Sequence, residues 1–262
     1  MAHAPLPILL IHGLIGTLRD PALLAALPCD QALAPDLLGY GTYQHTAVTE
    51  LTLAAQVDHL HHLMHSHAGY AQRWHVLGHA MGGVIAALLA DTYPENVASV
   101  VSVEGHFTLE DANWSQTVAT QPLSDINTML EQDRAGPITW LLHRNIEPDT
   151  RRIRLALRYL EQQPADTVQA MARAVVECTR DPGYLRMIGH VLASMPLHLV
   201  AGESSRADWH VPAWVCAAAR SQTVIPNTGH LMMLEEPIGF GVAIGRLLET
   251  EHPVLRGAEL LS

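Results

Sequence analysis

A cluster of glycines between two apolar segments constrains this chain of 262 residues more than any other feature. The cluster is Gly78-His79-Ala80-Met81-Gly82-Gly83, preceded by RWHVL (73–77) and followed by VIAALLA (84–90). The first segment has the length and apolarity of a buried strand, and the second is typical of a helix. Glycine permits backbone to approach backbone where a side chain would collide. The sequence therefore predicts a strand, a very tight turn and a helix.

The same residues match the nucleophile elbow G-x-S-x-G at every position except the central one. In that motif a serine lies on a strained strand-to-helix turn, with its hydroxyl exposed. Here Ala80 occupies the serine position. Alanine is serine without Oγ, so the turn keeps its shape while the reacting atom is missing. An ordinary glycine-rich turn fits so short a match as well, and three further segments decide between the two interpretations.

The three segments follow in a fixed order along the chain. An apolar strand, PILLI (7–11), runs into His12-Gly13-Leu14; Asp36-Leu37-Leu38-Gly39-Tyr40-Gly41 has the form D-x-x-G-x-G; and Asn227-Thr228-Gly229-His230 precedes the C-terminal region. Together with the elbow they resemble the α/β-hydrolase superfamily over nearly the whole chain. The resemblance implies an α/β fold, with a mostly parallel central sheet flanked by helices and a helical cap inserted into it.

The resemblance also implies roles for individual residues. His230 corresponds to the general base, and the N–H groups of Leu14 and Met81 correspond to the two oxyanion donors. The chain has 17 histidines, so the motif and the position single out His230, not its residue type. Three neighbours of these groups are expected to contact substrate: His12, Gly13 and His79.

The acid that would orient His230 departs from the family's usual pattern. After the strand LHLVA (197–201), Ser205 stands where an aspartate is expected. Two carboxylates are candidates: Asp208 lies in the same loop, and Glu104 ends the strand ASVVSV (98–103), where haloalkane dehalogenases place their acid. A carboxylate directly after a buried strand is costly without a partner, so we favour Glu104 and keep Asp208 as the alternative.

Ala80 has more than one possible origin. An engineered substitution would trap a ligand in an intact pocket, whereas a natural alanine would indicate a ligand-binding protein on a hydrolase scaffold. Retention of His230 and both donor loops favours the engineered substitution, because the fold alone does not require them. If the natural residue were aspartate, the chain would resemble haloalkane dehalogenases and epoxide hydrolases, which form an alkyl-enzyme ester.

The length of the chain favours one domain, residues 1–262. We expect a hydrolase core at 1–106 and 191–262 and a helical cap at 107–190. Within the cap, 151–162 and 166–179 have amphipathic helical patterns, with Asp166 as the N-cap of the second helix. Trp114 and Trp140 are expected to line an apolar acyl pocket, with ordinary packing against the core as the alternative.

The expected activity is that of a cofactor-free serine hydrolase. The substrate class is a carboxylic ester, a lactone or a thioester with an apolar acyl part, and the form with Ala80 should be nearly inactive because its nucleophile is missing. An arginine cluster on the first cap helix is either a solvated face or a site for an anionic substrate or an acyl carrier protein. Its members are Arg151, Arg152, Arg154 and Arg158.

Composition excludes several other classes of protein. A formal net charge of −11 argues against a nucleic-acid partner, because phosphate binding needs a basic surface. No apolar run reaches the ~18 residues of a membrane span, and the N-terminus lacks a basic signal region. Three widely spaced cysteines, Cys29, Cys178 and Cys216, suggest a reducing, cytoplasmic location. The histidine-rich stretch DHLHHLMHSH (58–67) has paired spacing but no third ligand, so no metal site is expected.

Overall fold

The computed structural model describes residues 5–29, 31–69 and 72–249. Within these ranges six parallel strands form one sheet in the order β2-β1-β3-β4-β5-β6. The strands are β1 (Ile8–Ile11), β2 (Ala32–Leu33), β3 (Trp74–His79), β4 (Val97–Val103), β5 (Leu197–Gly202) and β6 (Ser221–Ile225). Parallel strands need crossover connections, which helices supply here. The predicted α/β fold with a parallel sheet is confirmed.

Twelve helices accompany the sheet in the described part of the chain. They are α1 (Pro21–Ala26), α2 (Leu53–Ala68), α3 (Met81–Thr92), α4 (Asn113–Thr120), α5 (Leu123–Ala135), α6 (Pro137–Leu142), α7 (Thr150–Leu160), α8 (Ala165–Arg180), α9 (Pro182–Ser194), α10 (Ala213–Ala218), α11 (Met232–Glu235) and α12 (Pro237–Glu249). None of those described is both long and apolar enough to cross a bilayer.

The central strands are covered on both faces. Every residue of β1, β3 and β5 is buried. Successive side chains of a strand point to opposite faces, and β1 divides accordingly. Leu9 and Ile11 join one hydrophobic cluster, while Ile8 and Leu10 join the other. The two clusters hold helices against both faces, as a parallel sheet requires.

Six helices, α4 to α9, lie between β4 and β5. The two predicted amphipathic helices correspond to α7 and α8. The predicted N-cap of α8 was wrong, since the helix begins at Ala165 after Pro164. Asp166 lies in the first turn, where a carboxylate still interacts favourably with the helix dipole. The boundary predicted at residue 190 falls inside α9, which continues to Ser194.

Parallel strands present their carboxyl ends at one edge of the sheet, where α/β proteins bind ligands. β1 runs into His12-Gly13-Leu14 and β3 runs into Ala80. Glu104 directly follows β4. The residues singled out in the sequence therefore directly follow neighbouring strands, at the same edge of the sheet.

The turn after β3 depends on the absence of two side chains. A Cβ at Gly78 would lie 2.1 Å from the carbonyl oxygen of Gly82, and a Cβ at Gly82 would lie 2.3 Å from that of Ile11. Both contacts are with backbone, which has no rotamer to change. α3 can therefore pack directly against β3 and β1 only if these positions remain glycine.

We predict that Gly82→Ala lowers the free energy of unfolding by about 3 kcal/mol or more, because backbone must move. Gly189→Ala is the matched control, since a Cβ at Gly189 in α9 meets nothing within 4 Å. Alanine at that helical position should stabilise the protein by about 0.5–1 kcal/mol. Urea unfolding measures both changes, and equal effects would contradict the packing described.

His12 is buried at the end of β1, with 2% of its surface exposed. Its Nδ1 donates to the carbonyl of Gly13 at 2.8 Å, and its Nε2 accepts from the N–H of Leu37 at 3.4 Å. The neutral ring is thus fully paired, whereas a proton on Nε2 would face another donor. Burial lowers the pKa of His12 to about 4.

This pairing makes folding stability depend on pH. In the unfolded chain His12 binds a proton below its ordinary pKa of 6.5, while the folded ring stays neutral until about 4. The contribution of His12 to folding stability is therefore fully present above pH 6.5 and is lost as the pH falls towards 4. In His12→Gln, the loss of unfolding free energy between pH 7 and pH 5 should shrink by about 2 kcal/mol. An unchanged loss in urea titrations at the two pH values would refute this.

Candidate active site

Ala80 has a backbone conformation that alanine rarely adopts. Its φ is 50° and its ψ is −116°. The turn is held by two hydrogen bonds: the Ala80 N–H donates to Val103 at 3.0 Å, and the Gly83 N–H donates to Ala80 at 2.9 Å. Such a conformation costs on the order of 1–3 kcal/mol. This is the strained strand-to-helix turn that the motif predicts, with a methyl group in place of the hydroxyl-bearing side chain.

His230 is hydrogen bonded to Glu104. The Nδ1 of His230 lies 2.6 Å from Oε2 of Glu104, which is only 4% exposed. The other carboxylate oxygen, Oε1, accepts from the N–H of Gly202 at 2.8 Å and from the hydroxyl of Ser205 at 2.5 Å. Burial by itself raises the pKa of Glu104, but the hydrogen bonds from His230, Ser205 and Gly202 outweigh it and lower the pKa. The carboxylate is therefore ionised and fixed in place.

The two acid candidates lie in different environments. Ser205, at the position where an aspartate was expected, donates to Glu104 instead of orienting a histidine itself. Asp208 is exposed in a short 3-10 turn. Within the described ranges its carboxylate forms neither a hydrogen bond nor an ion pair. The structure brings Glu104, and not Asp208, to His230.

The loop that carries His230 is held against the ends of β3 and β5. Nε2 of His79 donates to the carbonyl of His230 at 2.9 Å, and the two imidazole centres are 4.5 Å apart. A Cβ at Gly202 would lie 2.3 Å from the carbonyl of Gly229. His230 is thereby positioned next to His79, the residue before Ala80, and His230 and Ala80 line the same cavity.

The loop after β1 lies against the same methyl group. A Cβ at Gly13 would be 3.4 Å from the Cβ of Ala80. The hydroxyl of Tyr40 donates to the carbonyl of Leu14 at 3.1 Å and holds this loop. In the described part of the chain, the N–H groups of Leu14 and Met81 donate to no acceptor. Met81 begins α3, and a helix N-terminus attracts negative charge.

An open cavity of about 450 Å³ lies over these groups. Ala80, Leu14 and His230 line it. Other residues predicted from the sequence also contribute to its wall: Gly13, His79, Trp114, Trp140 and Asp208. His12 and the side chain of Met81 lie outside the lining, since both are packed in the interior.

Sequence reasoning missed His106 as a lining residue. It lies two positions after Glu104 and borders both this cavity and a smaller one of about 240 Å³. Neither ring nitrogen has a hydrogen-bond partner among the described residues. Burial, with a smaller contribution from His230, lowers the pKa of His106 to about 3, so the ring is neutral at pH 7. Its place just beyond a strand end was the available signal.

Two arginines of the predicted surface cluster are bound internally. Arg151 donates to the carbonyls of Leu234 and Glu235, at 3.0 and 2.8 Å. Arg152 donates to the same carbonyl of Glu235 at 3.2 Å and forms an ion pair with Glu236 at 3.3 Å. These contacts join α7 to the segment after His230.

The histidine-rich stretch lies on α2, away from the cavity. Nε2 of His61 is 2.6 Å from Nε2 of His65, and the His61 ring stacks on Tyr93. No group of three or more ligand-type side chains that could hold a metal ion occurs in the ranges that the structure describes.

Part of the chain is similar in sequence to two bacterial lipases. Lipase 3 of Moraxella sp. (strain TA144) and Lipase 1 of Psychrobacter immobilis are each 35% identical over 99 residues, which cover 37% of this chain and 31% of each lipase. The matched region thus spans about a third of the length of these relatives.

A solved structure extends the likeness to the complete fold. A thermophilic esterase from Thermogutta terrifontis superposes with a TM-score of 0.68 at 23% identity, over 95% of this chain and 91% of that one. The model of the alpha/beta hydrolase family matches residues 8–241. With the parallel sheet and the strained turn at Ala80, this match shows that the chain belongs to the alpha/beta hydrolase family.

Proposed function

We propose that this protein has the site of a serine hydrolase whose nucleophile position is occupied by alanine. The observation that carries the proposal is the Glu104–His230 hydrogen bond, because His230 lines the same cavity as the strained turn at Ala80. A base, a group that orients it and two donor N–H groups are the components that acyl transfer requires besides the nucleophile. With Ala80 the site binds its substrate but should retain only the roughly 10³ to 10⁴-fold rate enhancement that binding and oxyanion stabilisation provide.

The proposed chemistry follows from the hydrogen bond between His230 and Glu104. Because Nδ1–H of His230 donates to Glu104, the other ring nitrogen is left to accept a proton. In an Ala80→Ser variant, His230 would take the proton of the hydroxyl as it attacks the substrate carbonyl. The N–H groups of Leu14 and Met81 would stabilise the oxyanion. His230 would then activate a water molecule to release the acid.

The substrate class we propose is a carboxylic ester, a lactone or a thioester with an apolar acyl part. Trp114, Trp140 and Ile146 line the cavity and supply apolar surface for such a group. The partial likeness to two lipases and the fold shared with an esterase support ester-type bonds. An acyl carrier protein as partner would have to use Arg154 and Arg158, because Arg151 and Arg152 bind within the chain.

We further propose that the insertion acts as a cap over the site, with boundaries near 107–190 and α9 shared with the core. Trp114 comes from α4 and Trp140 from α6, and both line the cavity together with residues from the strand ends. A cap of this kind would select substrates.

The cytoplasmic location expected from the cysteines stays a prediction.

Two alternatives start from the same geometry. A natural alanine at position 80 would make the protein a ligand-binding member of the family, which the unpaired ring of His106 in the cavity also suits. A natural aspartate would make it an enzyme similar to haloalkane dehalogenases and epoxide hydrolases; the haloalkane dehalogenases likewise place their acid at the end of the strand before the insertion.

We predict that Ala80→Ser raises hydrolysis of p-nitrophenyl butyrate by on the order of 10²-fold or more, because the variant restores the reacting hydroxyl. Release of p-nitrophenolate measures the rate. The double variant Ala80→Ser/His230→Ala is the control and should return to the level of the original chain. Absence of any gain would reject the serine mechanism, and halide release by Ala80→Asp would favour the dehalogenase alternative.

The identity of the acid can be tested in the Ala80→Ser background. Glu104→Gln should lower kcat by about 10²- to 10⁴-fold, since an uncharged partner neither fixes the tautomer nor stabilises the imidazolium. Asp208→Asn should change kcat less than about twofold, because its carboxylate forms neither a hydrogen bond nor an ion pair with the described residues. Circular dichroism and melting temperature confirm folding of each variant. The reverse ranking of the two losses would assign the role to Asp208.

A further inference from the structure

Arg144 brings a positive charge into the cavity without an ion-pair partner. It follows α6 and lines the same cavity as Ala80 and His230. No carboxylate of the described residues lies within 4.0 Å of its guanidinium group, and Asp133 acts on it only through space. Because arginine does not lose its proton in proteins, this charge is present at every physiological pH.

The orientation of the guanidinium group is fixed. Its central carbon lies 4.0 Å from the centre of the Trp140 ring, and Nη1 donates to the carbonyl of Trp140 at 2.9 Å. Stacking on an aromatic face and one backbone hydrogen bond restrict the rotamers of a long side chain. One N–H of the five is used, and the remaining donors meet no acceptor in the described ranges. Arg144 is thus prepared for a planar acceptor such as a carboxylate.

Three acidic residues line the cavity, and their contacts are with other parts of its wall. Asp111 and Asp208 also border the smaller neighbouring cavity, together with Glu104 and His230, whereas Arg144 does not. The third, Glu235, accepts from the N–H of Gly229 at 3.0 Å, one residue before His230. The carboxylate of Asp111 accepts from the N–H groups of Phe107, Thr108 and His210. The Arg144 end of the cavity is instead formed with Trp140, Asn145 and Ile146. A ligand anion there would meet a cation, an amide and apolar surface.

We propose that Arg144 binds a carboxylate of the substrate, and that the substrates of this site are half-esters of dicarboxylic acids. The esterified end would lie at Ala80 and His230, an apolar spacer would pass Trp140 and Ile146, and the free carboxylate would reach Arg144. This inference rests on the proposed hydrolase function for the ester end. The recognition of the carboxylate is independent of position 80.

Binding to the unaltered chain tests the proposal. Monomethyl succinate, adipate and suberate are compared with their dimethyl esters by titration calorimetry, so that three spacer lengths are covered. At least one half-ester should bind about tenfold or more tightly than its diester, as a bidentate ion pair adds affinity. Equal affinities at all three lengths, or no binding of any half-ester, would overturn the proposal.

Variants assign the preference to the residue. Arg144→Met should abolish the difference between half-ester and diester, and Arg144→Lys should retain part of it. Arg180→Met is the matched control, because Arg180 has the same charge, is exposed at the end of α8 and does not line the cavity. A preference that persists in Arg144→Met would reject Arg144 as the carboxylate site. An equal loss of both ligands would show that Arg144 only supports Trp140.

The outcomes separate this inference from the proposed function. Hydrolysis of p-nitrophenyl butyrate by Ala80→Ser without any half-ester preference would reject the carboxylate site alone. A half-ester preference in the unaltered chain without hydrolysis by Ala80→Ser would reject the serine mechanism alone.

Discussion

The arrangement of the site depends on one buried carboxylate. Glu104 directly follows β4, whose residues are packed between two helical layers, and at 4% exposure an unpaired charge there would cost several kcal/mol. Three donors stabilise it: the backbone N–H of Gly202, the hydroxyl of Ser205 and the imidazole of His230. They come from β5, from the loop after it and from the loop after β6. One charge therefore connects the carboxyl end of β4 to both segments that complete the cavity.

The same carboxylate explains an apparent defect in the motif. Ser205 stands where an aspartate was expected, and the sequence alone leaves the position unexplained. In the structure an aspartate there would bring a second negative charge to Glu104, whereas the serine hydroxyl donates a hydrogen bond. The acid at the end of β4 and the small donor after β5 are compatible with each other, and two acids at these positions would repel.

Features set by local sequence were predictable. Glycines at 78, 82 and 83 specified the turn, apolar segments specified β3 and β4, and motif order singled out His230. Features that depend on contacts between distant segments were not. The contact of His230 with Glu104 instead of Asp208 depends on the path of the loop after β6, and the start of α8 depends on Pro164. Arg144 carries no motif, and only the packing of α6 over the strand ends brings it to the cavity.

The contacts between α7 and the segment after His230 have a mechanical consequence. Arg151 holds the carbonyl of Glu235, and the side chain of Glu235 accepts from the N–H of Gly229 at 3.0 Å, one residue before His230. A rigid displacement of α7 that preserved these bonds would pull on the backbone next to His230. In the proposed hydrolase, a tilt of α7 during ligand entry would therefore change the position of the His230 imidazole.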